Sequence, residues 1–135
     1  MVDPATKGWA KGIGALTLFV DDLAAAKQFY LDVFELPVHY EDGESVVFRF
    51  GSTLVNLLAS AAAGELIDPA IVAPANGGSR LQLTIDVDDV DARCAVLVSR
   101  GVRLLNGPMD RPWRVRTASF VDPGGHIWEI AAPLA

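Results

Sequence analysis

Eight residues constrain this chain more than any other stretch, because the pattern they carry occurs twice. Leu16-Thr17-Leu18-Phe19-Val20-Asp21-Asp22-Leu23 returns as Leu83-Thr84-Ile85-Asp86-Val87-Asp88-Asp89-Val90, which keeps Leu-Thr-apolar-x-Val-Asp-Asp-apolar at an offset of 67 residues. A repeat of this kind within 135 residues predicts a fold made of two copies of one structural unit. Each copy reads as a strand running into a helix. Leu16, Leu18 and Val20 alternate with Ala15, Thr17 and Phe19, the period-two pattern of a strand with one face on a core. Asp22 and Asp89 then stand as N-caps, where a carboxylate accepts from the free amides of the first turn and favours the positive end of the helix dipole. Beyond the caps, Leu23, Ala26, Tyr30, Val33 and Phe34 share one helical face, as do Val90, Cys94, Leu97 and Val98. Helix and strand therefore meet through one face of the strand, and the opposite face is where function is to be sought.

The rest of the chain follows the same plan. Residues 1–12 read as an N-terminal arm with Trp9 as a candidate anchor, 13–59 as the first module, 60–79 as a linker and 80–135 as the second module. In the first module a strand over 13–20 and a helix over 22–35 precede strands over 38–41, 45–50 and 53–59. Pro37 stops the helix, and Asp42-Gly43 and Gly51-Ser52 supply the turns. The linker, Ala-rich and then Pro- and Gly-containing, is longer than most connections in compact domains, and a short helical turn is expected near Leu66. The second module repeats the order: strand 81–87, helix 89–100, and strands 102–105, 114–121 and 126–131, the last two joined by Asp122-Pro123-Gly124-Gly125. Each module is βαβββ. The fold class is α+β, two tandem modules whose curled mixed sheets carry a helix on one side and a concave face on the other.

Composition narrows the function classes. A chain that is 51% hydrophobic and 21% charged holds ample material for one core without disulfides. Its single cysteine, Cys94, lies on the apolar helical face and reads as packing, and one cysteine makes neither a disulfide framework nor a thiolate metal cluster. A formal charge of −6 argues against nucleic-acid partners, which require a basic surface. There is no signal-peptide pattern at the N-terminus and no apolar run near the roughly 20 residues of a membrane helix, so a cytoplasmic protein without a membrane partner is expected. Neither a phosphate-binding loop nor a dinucleotide glycine fingerprint is present.

Three runs resemble the vicinal oxygen chelate superfamily of glyoxalase I, bleomycin-resistance proteins and extradiol dioxygenases. They are Val20-Asp21-Asp22-Leu23 with Gln28-Phe29-Tyr30, Val87-Asp88-Asp89-Val90, and Phe120-Val121-Asp122-Pro123-Gly124-Gly125-His126-Ile127-Trp128-Glu129-Ile130, the last being the most specific. The resemblance spans nearly the whole chain. It implies two βαβββ modules whose concave faces form a cavity, commonly at the interface of a homodimer. In metal-dependent members, four inward positions supply the ligands, one on the first and one on the last strand of each module. By alignment to the repeated motif these are Ala15, Asn56, Gln82 and Glu129, so only Glu129 keeps a family donor type.

That departure decides the expected chemistry. Ala15 offers no donor and Asn56 and Gln82 only neutral amide oxygens, so no zinc, nickel or iron site, and no cofactor, is expected. His126 falls on the face opposite Glu129, and His39 sits on an edge strand; both read as solvated or capping residues. An inward Glu129 needs partners to stay ionised, and the Gln82 and Asn56 amides are the expected donors. Parity assigns Ala15, Thr17, Phe19, Leu54, Asn56, Leu58, Gln82, Thr84, Ile127 and Glu129 to the cavity wall, a mostly apolar surface suited to a small molecule. Phe48, Phe50 and Trp113 are candidate aromatic contacts. The Pro112-Trp113-Arg114 segment resembles a bleomycin-resistance loop in which a tryptophan lies on a flat ligand, with packing as the alternative for Trp113. Arg49, Arg114 and Arg116 are candidates for a ligand carboxylate or for Glu129, against a solvent-facing role. Three functions compete: a metal-free homodimeric protein binding a flat, aromatic or cationic small molecule; a metal-free enzyme with Glu129 as general base; and a metal-dependent lyase, isomerase or dioxygenase.

Overall fold

The computed structural model describes residues 8–135. The chain runs β1 (Ala15–Val20), α1 (Leu23–Phe34), β2 (Val38–Glu41), β3 (Ser45–Phe50) and β4 (Thr53–Ala59). It crosses through a 3-10 turn (Ser60–Ala62) and a one-turn helix α2 (Gly64–Ile67), then repeats as β5 (Gln82–Asp86), α3 (Val90–Ser99), β6 (Leu104–Asp110), β7 (Val115–Val121) and β8 (Ile127–Pro133). The duplication holds at the level of hydrogen bonding. One sheet has the order β1-β4-β3-β2 and the other β5-β8-β7-β6, with the first and last strands of each module parallel and the remaining pairs antiparallel. Both expected caps form: Asp22 accepts from the Ala25 amide and Asp89 from the Ala92 amide, each at 3.0 Å.

The helix faces of the two sheets are buried against each other. Tyr30 and Phe48 are fully enclosed, Phe120 and Trp128 are nearly so, and one contiguous cluster draws on both modules. α1 is the joint. Phe34 of the first module lies with its ring centroid 5.2 Å from Phe50 and 4.8 Å from Trp128 of the second, and Phe50 stacks on Trp128 at 5.2 Å. Because the helix faces meet in a shared core, the two concave faces look outward, away from it. β1 and β5 are each hydrogen-bonded on one side only and leave open strand edges.

One polar tie crosses this apolar joint. The Tyr30 hydroxyl donates to Asp122 Oδ2 at 2.6 Å and accepts from Trp128 Nε1 at 3.1 Å. Asp122, in the turn before β8, also accepts from the amides of Gly124 and His126 at 3.0 and 2.9 Å, and His126 Nδ1 lies 3.1 Å from Oδ1. Burial alone would raise the carboxyl's pKa, but the hydrogen bonds from His126 and Tyr30 outweigh it and hold Asp122 below the ordinary value. Burial first, and then the neighbouring carboxylate, push the Tyr30 phenol well up, so it remains a donor.

The structure departs from expectation in two places. Trp9 is 89% exposed and anchors nothing among the described residues; residues 1–7 of the expected arm lie outside them. β6 runs to Asp110, well beyond the expected 102–105, although it contains Gly107-Pro108. It does so because it is the edge strand of its sheet and its pairing with β7 shifts register on both sides of Asn106, where a proline without an amide hydrogen is tolerated. No helix among the described residues is long and apolar enough to cross a membrane.

Candidate functional site

The concave face of the second sheet carries a polar row across all four strands. Thr84 on β5 pairs with Glu129 on β8, Glu129 with Ser119 on β7, and Ser119 with Asn106 on β6. The same row in the first sheet reads Thr17, Asn56, Val47 and Tyr40. Thr17 thus stands to Asn56 as Thr84 stands to Glu129, so Asn56 and Glu129 hold the same register position in their sheets.

The partners of Glu129 differ from those expected. Thr84 Oγ1 donates to Glu129 Oε1 at 2.9 Å, whereas the Gln82 amide donates to Ser119 Oγ at 3.2 Å, and no bond from Asn56 reaches Glu129. Asn56 Oδ1 is buried without any hydrogen-bond partner among the described residues. A buried unpaired acceptor is costly, and here it lies on the face assigned to a ligand. Sequence reasoning missed Ser119, Thr117 and Arg111. Thr117 and Ser119 are only 1% exposed, and Arg111 donates to Thr117 Oγ1 at 2.9 Å and to Asn106 Oδ1 at 3.2 Å. For Thr117 and Ser119 the signal was parity with Glu129 across the β7–β8 hairpin; Arg111, in the loop after β6, carried none.

The remaining candidates divide by face. Ala15, Gln82 and Thr84 are exposed, Thr17, Phe19, Leu54, Asn56, Ile127 and Glu129 are half-buried, and Leu58 is buried. Phe48 belongs to the core, its ring 5.5 Å from Tyr30, and Phe50 packs on Phe34 and Trp128; neither faces the concave surface. Trp113 is 65% exposed in the loop between β6 and β7, so it is no core residue, and the Arg111 guanidinium lies 5.9 Å from its ring centroid. Arg116 does not reach Glu129: it pairs with Asp91 at 3.0 Å and Asp110 at 2.8 Å. His39 is exposed and His126 is turned to Asp122.

A search with protein-family models matches residues 12–130 to the glyoxalase/bleomycin resistance protein/dioxygenase superfamily. The chain belongs to that superfamily. Among relatives of this superfamily member, the uncharacterized protein YraH of Bacillus subtilis is 30% identical over 119 residues, covering 85% of this chain and 93% of its own. The uncharacterized protein Rv0887c of Mycobacterium tuberculosis is 27% identical over 126 residues, covering 87% and 72%. Among solved structures, a glyoxalase/bleomycin resistance protein/dioxygenase from Nocardioides aligns with a TM-score of 0.86 at 22% identity over 96% of this chain and 88% of its own. A lactoylglutathione lyase from Agrobacterium tumefaciens aligns at 0.73 and 24%, covering 90% and 93%. At these identities the structural likeness establishes the glyoxalase-type fold and no more.

Metal-dependent chemistry within this superfamily requires a donor set, and these residues do not provide one. Of the four inward positions, only Glu129 is an anion, Gln82 is committed to Ser119, and Ala15 has no donor atom. Among the described residues, no three His, Cys, Asp or Glu side chains come together in a way that would hold an ion. A lone carboxylate with neutral neighbours does not fit zinc, nickel or iron.

Proposed function

We propose that this protein is a metal-independent small-molecule binder whose ligand, aromatic or cationic, lies on the concave face and offers hydrogen-bond donors. The observation that carries this reading is the Glu129 carboxylate, half-buried on the concave face with one side-chain donor, Thr84. A ligand with an ammonium, amidinium or aromatic N–H group would answer it through charge-assisted hydrogen bonds. Leu54, Phe19 and Ile127 supply apolar wall around them, and exposed Trp113 supplies a stacking surface.

Within one chain the concave faces look outward, and the edges of β1 and β5 are open, which supports a homodimer in which a second copy closes each cavity. Titration with planar aromatic cations, bleomycin among them, tests the reading through tryptophan emission and calorimetry. Binding by the native protein and a loss of about tenfold or more in Glu129→Gln are expected. Silence across the panel, or about one tightly held metal ion per chain by elemental analysis, would overturn it.

A further inference from the structure

A second cleft lies elsewhere, on the helix side where the two modules meet. Its volume is about 710 Å³, within the range of small-molecule sites, and its floor is apolar: Phe34 and Phe50 from the first module, Ile85, Phe120 and Ile130 from the second. Four charges stand at its mouth. Glu35 and Arg93 are mutually compensated, at 3.9 Å, and Glu35 is also paired with Arg100 at 3.0 Å. Arg49 and Asp86 have neither an ion-pair nor a hydrogen-bond partner among the described residues, and they come from different modules.

An apolar floor beneath one uncompensated cation and one uncompensated anion selects for a particular chemistry. A simple carboxylate would answer Arg49 and be repelled by Asp86; a simple amine would do the reverse. We propose that this cleft is a second ligand site that takes a small apolar zwitterion, an α-amino acid with an aromatic or branched side chain. Its carboxylate meets the Arg49 guanidinium, its ammonium meets Asp86, and its side chain lies on Phe34, Phe50 and Ile85. Neither Glu129 nor Asn56 lines this cleft, although Thr84, the donor to Glu129, does.

Nitrogen-15 NMR titration of the full chain with L-phenylalanine, 3-phenylpropionate and phenethylamine tests this. L-Phenylalanine is expected to shift the amides of Phe50, Ile85 and Phe120 while leaving Asn56 unmoved, and to bind about fivefold or more tighter than either single-charge analogue. Arg49→Ala should erase the advantage over phenethylamine, and Asp86→Asn the advantage over 3-phenylpropionate. Both positions are exposed, and an unchanged spectrum outside the cleft verifies that each variant folds. No shift up to about 20 mM, twice the roughly 10 mM Kd at which such a weak site would still respond, overturns the proposal. Equal affinity for the three compounds, shifts confined to Asn56 and Glu129, or selectivity unchanged in either variant also overturn it.

Discussion

Tyr30 shows how much one hydroxyl does in this molecule. It is the polar tie across an apolar joint, donating to a carboxylate from the other module. Tyr30→Phe keeps the ring packing and removes that bond, so denaturant unfolding should report a loss of about 1.5–3 kcal/mol, the range for hydrogen bonds to charged groups. Asp122 adds a pH dependence whose sign is fixed. Its folded-state pKa is depressed, so its contribution is complete above the unfolded value of about 3.9 and fades as pH falls through the lower folded value. The stability gap between native protein and Asp122→Asn, measured by denaturation from pH 7 to pH 2, should therefore be largest near neutrality and shrink below about pH 4. Two positive-φ positions should respond in opposite directions. Arg114 holds φ 70 as a non-glycine residue, so Arg114→Gly relieves left-handed strain and should stabilise by about 0.5 kcal/mol after the entropy cost of glycine. Gly107 holds φ 84, and a Cβ there would press on the Thr117 carbonyl and come 2.7 Å from Ala118 Cα, both backbone that cannot swing away. Gly107→Ala should lower stability by about 3 kcal/mol in the same assay.

At the level of elements, the caps are the clearest case of local sequence dictating local structure. Asp22 and Asp89 each hold the third residue's amide after them, and removing either by substitution with alanine should cost about 1 kcal/mol in thermal unfolding, with both losses adding because the helices are separate. Strand faces were equally legible, since alternation placed Leu18 and Ile130 inward and Thr84 and Glu129 outward without knowledge of any partner. What alternation cannot reveal is which residues stand abreast. The donor to Glu129 is Thr84 because parallel pairing of β5 with β8 sets those two side by side, whereas Gln82, two residues earlier, reaches Ser119 instead. Phe48 was misjudged for the same reason. An aromatic residue near a suspected cavity looks like cavity wall until pairing with Val55 fixes it on the helix face. β6 was read short because its proline signals a break, and only the edge position and shifted register permit the strand to continue.

For the molecule as a whole, the repeated octapeptide made the duplicated architecture readable, but not how the copies meet. That depends on α1 being apolar on two sides, with Tyr30 and Phe34 touching Phe48 and Phe50 of their own sheet and Trp128 of the other. A shared core has a measurable consequence. Calorimetry should show one cooperative transition, and a fragment ending within the crossing after α2 should lack dispersed NMR resonances, since its Tyr30 and Phe34 would lose half their surroundings.

Because both halves follow one hydrogen-bonding register, the chain contains its own alignment. Laid over each other, the halves set Leu18 against Ile85 and Leu57 against Ile130 on the core side, and Thr17 against Thr84, Phe19 against Asp86 and Asn56 against Glu129 on the other. The duplicated scaffold thus presents two unlike palms, with a neutral amide in one where the other holds a carboxylate, joined by a single hinge of side chains.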